Sequence, residues 1–148
     1  MKTIGRTDRV DFPELELRNI KAKVDTGAYT SSIHCLDIKE IEINEEKWIE
    51  FKLLDPSHIQ YNNKIFKVKN YTEKIVKSSF GHVESRFIIE TDIIIFAEQY
   101  KIELSLSERS SMKYPILLGR KFLTNNFIVD TADHNLSYKL KKEKIDPK

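Results

Sequence analysis

Alternation with a period of two runs through most of this chain, and it limits the possible folds more than any other feature. Ile20-Lys21-Ala22-Lys23-Val24 sets apolar residues against cations, and Ile38, Ile41 and Ile43 stand among lysines and glutamates. Ile65-Phe66-Lys67-Val68, Phe87-Ile88-Ile89, Ile93-Ile94-Ile95-Phe96 and Tyr100-Lys101-Ile102-Glu103-Leu104-Ser105-Leu106 continue the pattern. Successive side chains of a strand point to opposite faces, and β-branched and aromatic residues suit a half-buried pleated surface. No segment carries the 3.6-residue period of a long amphipathic helix. Only residues 120–125, directly after Gly119, suit one or two helical turns. So many short strands must hide their edges, which predicts an all-β fold closed or partly closed into a barrel, with one short helix near the C-terminus.

A chain of 148 residues is long enough for one domain with its own core. That domain is expected over residues 1–140, with residues 141–148 as a basic, flexible tail. Lys and Arg total 25 against 23 Asp and Glu, mixed along the whole length, so the basic stripe that nucleic acid demands is missing. A single cysteine, Cys35, excludes an intrachain disulfide. Residues 1–6 hold no apolar run of signal-peptide length, and no run approaches the ~20 residues of a spanning helix. A soluble, cytoplasmic protein without membrane contact is expected.

Glycine is scarce. Gly5, Gly27, Gly81 and Gly119 are the only four, and a chain this sparing keeps glycine where φ must be positive or where another group approaches closely. Gly27 belongs to Asp25-Thr26-Gly27-Ala28, which follows the Ile20–Val24 alternation without a break. A carboxylate at a strand end, then a small hydroxyl residue and glycine, makes a tight loop whose N–H groups can bond the acid. The Thr26 hydroxyl is free to meet a neighbouring backbone or a second chain. The same four residues also suit a plain Asx turn between strands. Val129-Asp130-Thr131-Ala132 is a fainter copy of Val24-Asp25-Thr26-Gly27.

Other chemistries find less support. Cys35, between Ile33 and Leu36 on an apolar strand, suits a core thiol. His34, His58, His82 and His134 form no His-Glu-x-x-His motif, and no Cys-x-x-Cys occurs, so no metal is expected. No Gly-x-x-x-x-Gly-Lys-[Ser/Thr] loop is present, and no cofactor is expected of this chain.

The order of the segments is informative. After Asp25-Thr26-Gly27 comes a polar turn, Ser78-Ser79-Phe80-Gly81-His82, flanked by Ile75-Val76 and Val83, which suits a hairpin with an aromatic near its tip. Then Tyr114-Pro115-Ile116-Leu117-Leu118-Gly119-Arg120 is a buried-strand pattern ending in glycine and a cation. This order resembles the retropepsin-like aspartic peptidases, and more closely the family labelled ATP-dependent zinc proteases and associated with ATP-grasp amino-acid ligases. The matching residues run from Ile4-Gly5-Arg6 through Pro13-Glu14-Leu15 and residues 21–28 to Thr30-Ser31-Ser32-Ile33-His34. They resume at residues 78–86, Arg109, Met112, residues 115–120 and Phe127-Ile128-Val129-Asp130. Tyr29 departs from the Arg usual in that family, and Lys121 from an acidic or small residue.

The resemblance implies a retropepsin-like domain with Asp25, Thr26 and Gly27 as the catalytic loop. Ala28, Ser79, Phe80, Gly81 and His82 would contact substrate, the last four as a flap. Leu118, Gly119 and Arg120 would brace the loop. Two carboxylates sharing one proton are needed for this chemistry, and one Asp-Thr-Gly supplies half, so a homodimer acting on a peptide-like substrate is implied. The alternative is an inactive peptide-binding module of the same fold, working with an ATP-grasp ligase.

Overall fold

The computed structural model describes residues 1–77, 83–108 and 113–145. Its strands are β1 (Lys2–Ile4), β2 (Thr7–Phe12), β3 (Leu17–Val24), β4 (Ser31–Ile43), β5 (Glu46–Leu53), β6 (Ile65–Val68), β7 (Tyr71–Lys77), β8 (Val83–Ile95), β9 (Glu98–Ser107), β10 (Ile116–Leu118) and β11 (Phe127–Val129). Helix α1 is Arg120–Leu123, helix α2 is Leu136–Ile145, and a single 3-10 turn covers Pro13–Leu15.

Nine strands form one sheet in the order β10-β3-β2-β8-β9-β4-β5-β6, with β7 joined to β8. Because β10 also pairs with β4, the path from β10 through β3, β2, β8, β9 and β4 returns to its start, a ring that removes the edges an open sheet exposes. A second sheet consists of β1 and β11, paired in parallel. The all-β expectation and the short helix after Gly119 hold.

Period-two patterning acts where one face meets solvent. In β3, Ile20 and Ala22 are buried while Lys21 and Lys23 are exposed. In β5, Ile49, Phe51 and Leu53 point inward. The alternation lapses where β4 and β9 run side by side: Ser31 to Cys35 and Leu104 to Ser107 are buried without interruption, as in strands covered on both faces.

Two features differ from what the sequence suggests. Among the described residues positive φ falls on eleven that are not glycine, including Phe96 (53°) and Ala97 (60°) in the turn between β8 and β9, whereas none of Gly5, Gly27 and Gly119 adopts it. Gly5 and Gly119 therefore serve close approach to backbone, not unusual dihedrals, while Gly27 is crowded only by the Asp25 carboxylate among the described residues. Second, α2 runs on through residue 140, where the sequence suggests that the domain ends. Its first turn is held by a distant carboxylate: Asp8 Oδ2 accepts the Ser137 N–H at 2.9 Å and Oδ1 the Tyr138 N–H at 3.1 Å. Lys141 Nζ then reaches Asp11 Oδ2 at 2.8 Å and Asn19 Oδ1 at 2.6 Å. Burial pushes the Asp8 carboxyl above the usual carboxylate range, opposed by its backbone donors Ser137, Arg9 and Tyr138.

Candidate functional site

Strand β10 lies between β3 and β4, with Leu118 opposite Val24 and Ile116 opposite Ile33. That register fixes the loop that leaves β3. The Asp25 N–H donates to Leu118 O at 2.9 Å, which continues the β3–β10 ladder by one step. The chain then turns: the Gly27 N–H bonds Asp25 Oδ1 at 3.0 Å, and the Ala28 N–H bonds Asp25 O at 3.2 Å. From the other side, the N–H groups of Arg120 and Lys121 donate to Ala28 O and Tyr29 O, both at 2.9 Å. The Gly119 N–H donates to Ser31 Oγ at 2.9 Å, and Arg120 Nη1 to Thr26 O at 2.9 Å.

Gly119 is what lets the two segments touch. Its backbone is ordinary extended chain (φ −94°, ψ 176°), but a Cβ there would lie 2.8 Å from Tyr29 O and 2.9 Å from the Thr30 carbonyl carbon. No rotamer relieves a clash with backbone. The loop is thus seated on β10 and the first residues of α1 chiefly by backbone hydrogen bonds, with the Ser31 hydroxyl and the Arg120 guanidinium adding one each, and the Leu118-Gly119-Arg120 segment lies beneath it.

Asp25 is half-buried, and Thr26 and Gly27 beside it are exposed. Asp25 Oδ1 is held by Gly27, while Oδ2 takes no hydrogen bond among the described residues. Such a carboxylate is oriented yet still open to a ligand, a water or a second acid. Ser79, Phe80, Gly81 and His82 lie outside the described residues. The arms leading to them pair as an antiparallel hairpin, from Tyr71 opposite Ile89 to Lys77 opposite Val83. Ile75 and Val83 on those arms are exposed, and Arg86 Nε bonds Glu84 Oε1 at 2.8 Å.

Ser31, Tyr29 and Arg6 also belong to this region; the sequence marked Tyr29 only as a departure from the usual Arg and assigned no role to Ser31 or Arg6. Ser31 anchors Gly119, and Tyr29 lies 5.8 Å beneath the Arg120 guanidinium. Arg6 O accepts the Val24 N–H at 2.9 Å. A signal for Arg6 was present in Ile4-Gly5-Arg6, which repeats Leu118-Gly119-Arg120. Around Asp130 the repeat has a structural counterpart. Ile4 pairs in parallel with Val129, the Asp130 N–H donates to Ile4 O at 2.9 Å, and the Arg6 N–H donates to Asp133 O at 2.9 Å.

The remaining candidates are occupied elsewhere. Cys35 is wholly buried, and that burial pushes its thiol far above the range of a reactive nucleophile. His34 is buried, with Nε2 2.8 Å from Asp55 Oδ2 and Nδ1 3.3 Å from Ser107 O. The Ser57 hydroxyl and N–H hold the Asp55 carboxyl below the usual range, with His34 adding to the effect. Among the described residues no three or more of His, Cys, Asp and Glu gather as a metal ion would require, so the zinc in the label of the resembled family has no matching donor set there. No described helix is long and apolar enough to cross a membrane.

Residues 3–139 match the family model described as RimB-like, "Retropepsin-like aspartic endopeptidase RimB". The chain is 37% identical over 132 residues to a protein of Desulfotalea psychrophila named "Probable alpha-L-glutamate ligase", covering 88% of this chain and 28% of that protein. A protein of the same name from Shewanella halifaxensis is also 37% identical, over 133 residues, with the same coverage. The chain thus spans little more than a quarter of these relatives. Among solved structures, Lpg0085 of Legionella pneumophila, a DUF785 protein described as of unknown function, superimposes with a TM-score of 0.73 at 25% identity, over 92% of this chain and 98% of that one.

Proposed function

The chain belongs to the RimB-like family of retropepsin-like aspartic endopeptidases, and on that premise we propose that it is an aspartic-type endopeptidase, active as a homodimer in which the Asp25 carboxylates of the two chains together activate a single water. The observation that carries this reading is the Asp25 carboxylate itself: half-buried, oriented through Oδ1 by the Gly27 N–H, open at Oδ2, and set in a loop clamped to β10 and α1. One such acid per chain is half of the required pair.

Two carboxylates at hydrogen-bonding distance share a single proton, because both cannot be ionised there. The ionised member takes a proton from water as its oxygen bonds to the scissile carbonyl carbon, while the protonated member gives its proton to the carbonyl oxygen. Collapse of the tetrahedral intermediate breaks the C–N bond. The leaving nitrogen receives the proton that the first carboxylate took from water, the other carboxylate regains a proton from a hydroxyl of the intermediate, and the products are a carboxylic acid and an amine. Thr26 would meet its counterpart across the axis, and Ser79, Phe80, Gly81 and His82 would cover the substrate.

The relatives' name points to a substrate class. A glutamate ligase builds glutamyl peptide bonds, so glutamyl peptides are the first substrates to offer. A second reading is favoured by the small share of those relatives that the chain spans: a binding module of the same fold that presents peptide to a ligase.

Sedimentation between about pH 4 and pH 8 with cleavage of a peptide library that includes oligoglutamates separates the two readings. Pairing of two carboxylates takes up a shared proton, so the dimer should strengthen as pH falls. Asp25→Asn should abolish cleavage and leave the dimer intact or tighter. A wild-type protein that stays monomeric and cleaves nothing would remove the endopeptidase reading and leave the binding module.

A further inference from the structure

Arg120 carries a charge at the Asp25 loop that the fold leaves uncommitted. Its Nη1 donates to Thr26 O at 2.9 Å, its guanidinium lies 5.8 Å from the centroid of the Tyr29 ring, and the side chain is exposed. Its neighbour Lys121 is ion-paired with Glu103, as Lys101 is with Asp92, but no carboxylate among the described residues pairs with Arg120. A guanidinium has five N–H donors in a planar fork, and among the described residues one is used here.

Bracing the loop does not explain this side chain. The loop is already held by the backbone bonds Asp25 to Leu118, Arg120 to Ala28 and Lys121 to Tyr29, and by the Gly119–Ser31 contact. The counterpart side chain, Arg6, is bound to its own loop differently: Nη1 lies 3.4 Å from both Thr131 O and Ala132 O. Arg120 makes one shorter bond and rests its plane beside an aromatic ring that is itself 56% exposed. Both contacts restrict the guanidinium in advance, so less rotamer freedom is lost when its remaining donors take a ligand. Those donors match a carboxylate, which can accept two parallel N–H bonds.

We propose that Arg120 is a specificity-determining residue that receives a substrate carboxylate beside Asp25, with the Tyr29 ring as the shelf that holds the guanidinium. The inference rests on the endopeptidase reading in taking a peptide as ligand, but the contact itself does not require turnover. The carboxylate has two possible sources, an acidic side chain or a free peptide C-terminus.

The test uses the Asp25→Asn protein, so that binding is read without hydrolysis, and three fluorescent N-acetylated tripeptides: triglutamyl amide, triglutaminyl acid and triglutaminyl amide. At least one of the first two should bind about tenfold or more tightly than the neutral third, and which one does so identifies the source. Adding Arg120→Gln should bring that ratio close to one. In the enzyme with Asp25 intact, the same substitution should collapse the ratio of kcat/KM for the matching charged and neutral peptides. No preference in the parent, or a preference that survives Arg120→Gln, overturns the proposal. If Arg120→Gln fails to fold or to pair, Arg120→Lys decides: it keeps the charge and loses the fork, so the preference should drop severalfold, and an unchanged preference overturns the proposal. A protein with an Arg120-dependent preference that cleaves nothing overturns the endopeptidase reading and supports this one.

Discussion

The loop at Asp25 and the turn at Asp130 are built alike down to single hydrogen bonds. Each follows a strand paired in parallel with a neighbour, Val24 against Leu118 and Val129 against Ile4. In each the aspartate N–H donates to that neighbour's carbonyl, and the residue two places on, Gly27 or Ala132, donates to Oδ1. In each a Gly-Arg pair packs against the turn, and an added Cβ on the glycine would strike backbone. Asp55 heads a third turn of this kind, with the Ser57 N–H on Oδ1 at 2.8 Å. The Asx turn is therefore a structural unit of this protein and does not itself mark chemistry. What differs is the setting: Asp25 is half-buried where β10 bridges β3 and β4, Asp130 is exposed, and Asp55 gives its second oxygen to His34.

The largest effect should separate the first two turns in catalysis. An asparagine at either position keeps an oxygen for the following N–H, so both folds should survive. Asp25→Asn removes all the acid–base capacity of the proposed pair and should lower the cleavage rate by roughly 10²- to 10⁴-fold or more. Asp130→Asn should stay within about twofold of wild type, because surface changes away from a site rarely matter. Equal losses in a peptide-cleavage assay would break the distinction and bring Asp130 into the mechanism.

The next effect tests whether both clamps are as tight as they look. A Cβ on Gly5 would lie 2.3 Å from Asp133 O, and one on Gly119 would lie 2.8 Å from Tyr29 O. Overpacking against backbone costs about 1–3 kcal/mol and occasionally more. Gly119→Ala should fall in that range and Gly5→Ala at its top or beyond, measured by urea unfolding. Gly119→Ala at wild-type stability would mean that the loop can lift off β10.

Much of this plan was legible in the sequence, and the exceptions have physical causes. Strands such as β3 and β5 declare themselves because one face is wet, so Lys21 and Lys23 alternate with Ile20 and Ala22. Asp25, Gly119 and the short helix α1 follow from local motifs. Helix α2 does not, because its N-terminal donors are capped by Asp8, which lies 129 residues away from Ser137 in the chain, while its own lysines suit a solvated tail. The turn at Phe96 and Ala97 is equally hidden, since positive φ there falls on residues that rarely adopt it. The kinship of the two Gly-Arg clamps was visible only as a faint repeat, because hydrogen bonds to backbone leave little trace in side-chain identity.

A smaller effect concerns Asp55, whose carboxyl is held below the usual range chiefly by the Ser57 hydroxyl and N–H. A depressed carboxyl contributes stability that is present above the ordinary carboxylate range and is lost as pH falls through the depressed value. Ser57→Ala removes the hydroxyl, so the fall in melting temperature between about pH 5 and pH 2 should become shallower than in wild type. An unchanged acid limb would assign the anchoring of Asp55 to the Ser57 N–H and His34, which the substitution leaves in place.

The smallest effect is expected where the two clamped turns differ in sequence. Gly27 does not have positive φ, and among the described residues a Cβ there would meet only Asp25 Oδ1, at 3.3 Å. Ala132 already carries a Cβ at the equivalent position, with its N–H 2.9 Å from Asp130 Oδ1, so the turn tolerates alanine. Replacing glycine by alanine at a compatible site lowers the entropy of the unfolded chain and stabilises by about 0.4–1 kcal/mol. The close contact with Oδ1 opposes this gain, so Gly27→Ala should change stability by less than about 1 kcal/mol in either direction. Ala132→Gly should destabilise by about 0.4–1 kcal/mol through the same entropy. Urea unfolding of both variants checks the pair. If Gly27→Ala unfolds much more easily, the two turns are not equivalent and the glycine is demanded by the loop itself. If its stability holds while cleavage falls, the glycine keeps the space over the Asp25 carboxylate clear for substrate or for the second chain.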